Sequence, residues 1–109
     1  MALLCFDVDG TLEPGIGPIP MKELEELADD GHVIVIVSPS PLRPKETPYQ
    51  EFLSTDRKKN LLDAREAYPE GEAVYISDNE GDDNLSTTVG FSYVHPMYWE
   101  QFLSRLTAT

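Results

Sequence analysis

Three observations predict an α/β fold built on a parallel sheet. The runs Leu3-Leu4-Cys5-Phe6, Val33-Ile34-Val35-Ile36-Val37 and Ala73-Val74-Tyr75-Ile76 are short and apolar on both faces, as the central strands of parallel sheets are. Stretches of helical period, residues 21–30 and 57–68, stand between these runs in the place of crossover helices. The runs end in acids or serines, and ligands of open α/β sheets collect at the carboxyl ends of strands. At 109 residues the chain has room for a single core, so one domain over residues 1–109 is expected.

The first run climbs into Asp7-Val8-Asp9-Gly10-Thr11. Side chains alternate along a strand, so Asp7 and Asp9 start out on the same side. Two acids held close in a partly dry site repel one another unless a cation binds or a proton is shared. A strand that merely ends in a solvated acidic turn accounts for one aspartate better than for two. A like-charged pair at a strand end is a typical site of perturbed acidity. Gly10, Gly15, Gly17, Pro14, Pro18 and Pro20 then predict turns. Residues 21–30 carry Leu24, Leu27 and Ala28 on one helical face, with Pro20 suited to the first turn and Gly31 to the stop.

The run from Val33 to Val37 is the strongest β segment, and it delivers the Ser38 hydroxyl to the same sheet edge. Residues 39–48 are too rich in proline for a central strand. Residues 49–53 read as a helical turn, which leaves a sheet of about four strands. Ser54, Thr55 and Asp56 offer N-caps for a helix over residues 57–68, whose inner face reads Leu61, Ala64 and Tyr68. Lys58, three residues before Leu61, is expected to point inward, whereas Lys59 aligns with Asp63 and Glu66 on the solvent side. The strand over residues 73–76 ends in Ser77-Asp78-Asn79-Glu80-Gly81-Asp82-Asp83, and a last strand spans residues 90–94. A closing helix over residues 96–106 follows, with Phe91, Val94, Trp99, Phe102, Leu103 and Leu106 expected in the core. His95, near the carboxyl edge, reads as a structural or solvated histidine.

Composition narrows the partners. Asp and Glu number 20 against 8 Lys and Arg, a formal charge of −12. Net charge of that sign opposes nonspecific attachment to nucleic acid, and an acidic balance of this density is the kind salt-adapted organisms use, so a halophilic source is expected. The single cysteine, Cys5, reads as a buried small hydrophobe. No apolar stretch is long enough to span a membrane and no secretory signal pattern is evident, so a cytoplasmic protein without a membrane partner is expected.

Asp7-x-Asp9-Gly10-Thr11, with its apolar strand, resembles the first motif of the haloacid dehalogenase (HAD) superfamily of phosphotransferases. The resemblance runs on in order. Ser38 matches the second motif, Lys58 (or Lys59) the third, and Ser77-Asp78 followed by Asp82 (or Asp83) the fourth. It implies a compact Rossmann-like sheet in the order 2-1-3-4, with right-handed crossovers and helices on both faces. The gaps between motifs are too short for an inserted cap domain. It further implies a phosphomonoester hydrolase using Mg2+. Asp7 is then the nucleophile that forms an aspartyl-phosphate, and Asp9 the acid and base. The metal falls to the Asp7 and Asp78 carboxylates and the Asp9 carbonyl, and the phosphate to Ser38 and Lys58. Thr11 and Asp82 support the site, Asp82 by holding Lys58. One departure is Pro39, which lacks the main-chain N–H often offered after the second motif.

Five of the eight bases, Arg43, Lys45, Arg57, Lys58 and Lys59, fall between the second and third motifs. A compact module with such a basic rim resembles the phosphatase half of polynucleotide kinase-phosphatases, which implies nucleic-acid end phosphates as substrate. A small-molecule phosphatase lidded by homo-oligomerisation and a non-catalytic binding module of the same fold are the alternatives.

Overall fold

In a computed structural model the protein is described over residues 1–38 and 48–107. The elements in chain order are β1 (Ala2–Phe6), a 3-10 turn (Glu13–Gly15), α1 (Met21–Asp29), β2 (Val33–Ser38), β3 (Gln50–Leu53) and α2 (Arg57–Ala67). They continue with β4 (Glu72–Ile76), α3 (Asp82–Thr88), β5 (Ser92–Val94), a second 3-10 turn (Pro96–Tyr98) and α4 (Trp99–Thr107). The five strands form one sheet in the order β3-β2-β1-β4-β5, and every neighbouring pair is parallel.

The α/β class and the parallel sheet agree with the sequence, but the strand count and order do not. Residues 50–53 form a fifth strand instead of a helical turn, pairing with β2 so that Val35 faces Gln50 and Ser38 faces Leu53. The order therefore departs from 2-1-3-4 by an added strand beyond β2. An edge strand has one neighbour and is half solvated, so it needs no apolar residue at every position. Here Tyr49 packs on one side of the sheet and Phe52 on the other. The Tyr68 hydroxyl, just past α2, also donates to the Gln50 side-chain oxygen.

The period-2 alternation of β1 divides the core. Leu4 and Phe6 face a cluster with Leu24 and Leu27 of α1 and Trp99 and Phe102 of α4. Leu3 and Cys5 face a second cluster with Leu61 and Ala64 of α2. Both faces of β1 are thus sealed, all five of its residues are buried, and burial raises the Cys5 thiol pKa far above its ordinary value. Helix α1 closes at Gly31, whose φ of +97° lies in the left-handed region that glycine adopts without strain.

Register is what positions the site. Phe6 lies opposite both Ile36 and Ile76, so β1 and β4 end at one level while β2 runs two residues further, to Ser38. The Asp7 N–H extends the ladder one step, donating to Ile76 O at 3.0 Å. Beyond it the turn-rich segment folds onto the core, with Leu12 and Ile19 bridged and fully buried. Among the described residues no helix is long and apolar enough to cross a membrane.

Candidate active site

Asp7 is a buried acid at this sheet edge, 4% exposed, and its Oδ1 accepts the Val8 N–H at 2.9 Å. Burial pushes its carboxyl from an ordinary 3.8 up to about 6. The Val8 hydrogen bond and the charge of Arg57 oppose the shift, while Asp78 and Asp9 add to it. Asp9 is exposed. The chain between them and the fourth motif is held tightly. Gly10 has φ +72°, and a Cβ placed there would fall 2.0 Å from Asp78 Oδ2, so the absence of a side chain is what lets the exposed Asp78 carboxylate lie against the turn. Thr11 is fully buried, and its Oγ1 accepts the Asp78 N–H at 3.2 Å.

Of Asp82 and Asp83, Asp82 is the one buried at this edge. Asp82 is 3% exposed, whereas Asp83 is solvated. Its Oδ2 accepts the Ser77 hydroxyl at 2.8 Å, and its Oδ1 lies 3.4 Å from an Arg57 guanidinium nitrogen. The Lys58 expectation needs correcting. Lys58 is exposed, and the base paired with Asp82 is Arg57. The reason is helical phase: Arg57 lies four residues before the buried Leu61, whereas Lys58 lies four before Leu62, which is 46% exposed. Lys59 faces solvent as its spacing predicts, with its ammonium 2.7 Å from Asp63 Oδ2.

No family model, curated protein or solved structure matches the chain. What the site does must be argued from its own residues.

Two residues at the site escaped the sequence. Asn60 is buried and donates to Ser38 O at 3.2 Å and Ser54 O at 3.1 Å, while its Oδ1 accepts the Ser54 hydroxyl at 2.8 Å. It thereby ties the end of β2, with the buried Ser38, to the first turn of α2. The signal for it was a polar residue four before Ala64, on the helix's inner face. Tyr93 is the other, its hydroxyl donating to Ser77 O at 2.6 Å or Asn79 O at 3.0 Å, which pins the loop after β4. Partial burial and the neighbouring acids push its phenol up to about 12. His95 acts structurally, its Nδ1 accepting the Met97 N–H at 3.1 Å. Pro39, Arg43 and Lys45 lie outside the described residues.

Among the described residues no three His, Cys, Asp or Glu side chains gather as a metal cage. The set implied by the resemblance is smaller: two carboxylates and one main-chain carbonyl, hard oxygens of the kind Mg2+ takes while keeping several waters. The charge pattern fits such an ion, because Asp78 and Asp9 each disfavour ionisation of Asp7 and a nearby cation would relieve that repulsion.

Proposed function

We propose that this protein is a Mg2+-dependent phosphomonoester hydrolase that works through an aspartyl-phosphate on Asp7. The observation that carries the proposal is a buried carboxylate at the carboxyl end of the central strand, with two acids and one guanidinium acting on it. An Asp7 oxygen attacks phosphorus, the bond to the ester oxygen breaks, and Asp9 gives that oxygen its proton. Water then attacks the acyl phosphate, Asp9 takes the water's proton, and inorganic phosphate leaves with Asp7 restored. The metal, when bound, supplies charge neutralisation for the phosphoryl oxygens. Ser38 and Arg57 hold those oxygens. Arg57 can do so through the exposed part of its guanidinium, since a third of its side chain is accessible while it pairs with Asp82. Asp78 holds the metal, and Asp82 and Thr11 hold Arg57 and Asp78 in place.

The small-molecule reading is the better supported of the two hydrolase readings. Of the rim bases, Arg57 is engaged by Asp82 and Lys59 by Asp63, which leaves less free positive charge for an oligonucleotide. Phosphate release from a panel of sugar phosphates, aryl phosphates and phosphate-ended oligonucleotides tests the proposal. Turnover should require Mg2+ and vanish in Asp7→Asn, while Asp9→Asn should lose about 10²–10⁴-fold. Persistent turnover in Asp7→Asn would remove the nucleophile, and inertness toward every ester would favour the non-catalytic module.

A further inference from the structure

A cavity of about 600 Å³ opens beside the proposed centre, between the turn after Asp9 and the start of α4. Gly10, the residue that packs against Asp78, forms one of its edges and is where the cavity meets the proposed centre, since none of Asp7, Asp9 and Asp78 lines it. Pro18, Pro20 and Met97 supply stiff or apolar wall. Its acidic lining is Glu23 and Glu100, its other polar side chains are His95 and Gln101, and no Lys or Arg lines it among the described residues. Glu23 is fixed in place, because the indole N–H of the buried Trp99 donates to its Oε2. The neighbouring cavity of about 870 Å³, which shares His95, Met97 and Gln101 with the first, is edged by Glu72, Glu80 and Asp83, with Arg105 its only Lys or Arg among the described residues. A negatively charged leaving group entering here would meet like charge from Glu23 and Glu100. A short chain ending in an ammonium would meet a fixed carboxylate in a partly enclosed site, where opposite charge selects strongly.

We infer that this cavity is the leaving-group site and that it selects phosphate monoesters of amino alcohols. The inference rests on the phosphatase reading. The test compares kcat/KM for O-phosphoethanolamine with that for propyl phosphate, which has the same length without the charge, at low salt with Mg2+. The amine ester should be preferred by about tenfold or more. Glu23→Gln keeps an acceptor for the Trp99 indole, and the double variant Glu23→Gln/Glu100→Gln should cut that preference about tenfold. Glu100→Gln alone, at an exposed position, should cut it in part even if the double variant folds poorly. The double variant Glu66→Gln/Glu70→Gln makes the same change of net charge at exposed positions outside both cavities and should leave the preference as it was. Equal turnover of the two esters, or equal loss of preference in both double variants, overturns the inference and leaves the phosphatase reading standing. Failure to turn over either ester or an aryl phosphate overturns both.

Discussion

Asp7 is under two opposed demands: a nucleophile must be ionised, and burial resists ionisation. Its folded-state pKa, about 6, lies above the ordinary 3.8, so the folded chain holds this proton more tightly than the unfolded chain does. The stabilisation that follows is complete below 3.8 and is lost as pH rises through about 6. Asp7→Asn removes the charge that costs stability, and in metal-free buffer above pH 7 it should stabilise the fold by about 2–3 kcal/mol. That gap should close as pH falls toward 4, as urea unfolding of the two proteins at several pH values would show. A gap that ignored pH would mean that burial is not what shifts Asp7. That an acid would stand at the end of β1 was legible from the apolar run before it, but which of the two aspartates is buried was not: Asp7 is buried and Asp9 exposed. Arg57 was not legible either, because choosing among three consecutive bases requires the phase of the helix. With Leu61 on the inner face, Lys58 three residues before it and Arg57 four before it both fit, and spacing alone does not choose between them.

Helix α2 is the element on which the site depends most, since its first turn carries Arg57 and Asn60 to the ends of β4 and β2. Its start is set by Asp56, whose Oδ1 accepts the Lys59 N–H at 3.1 Å. Asp56→Ala should cost about 1 kcal/mol of stability by loss of the cap. It should also loosen Arg57, so phosphate-ester turnover should fall more than that stability loss explains at temperatures where the variant is fully folded. Asn60→Ala leaves the carbonyls of Ser38 and Ser54 without this donor and should cost about 1–3 kcal/mol. Urea denaturation ranks the two, and an Asn60→Ala loss below that of Asp56→Ala would show that water replaces the side chain. The central strands were legible because burial on both faces forces an apolar run. Strand β3 was hidden by the opposite circumstance: a half-solvated edge accepts Gln50 and Glu51, and what makes the segment a strand is the backbone of β2, to which local sequence gives no clue. The turn-rich segment was legible as turns, but its packing, with Leu12 and Ile19 at zero exposure, depends on contacts far along the chain.

Across the whole molecule, the surface charge is strongly negative. Of the acids on described residues only Asp7 and Asp82 are buried, so nearly all of the excess that gives −12 faces solvent or lies near it. Helix α1 shows the cost locally. It ends on Asp29 and Asp30 with no base in its last turn, against the sign that the carboxyl end of a helix favours. Screening removes repulsion of this kind, since the Debye length falls from about 10 Å at 0.1 M salt to about 3 Å at 1 M. The melting temperature should therefore rise from dilute buffer to molar potassium chloride, as expected of a chain adapted to salt. Potassium chloride could also act by strengthening apolar burial, and Asp29→Asn/Asp30→Asn separates the two causes. If screening is responsible, this variant should melt above the parent in dilute buffer and lose most of that advantage at 1 M. If apolar burial is responsible, the two proteins should gain equally with salt. A parent melting temperature that stayed flat or fell would remove the case for salt adaptation altogether.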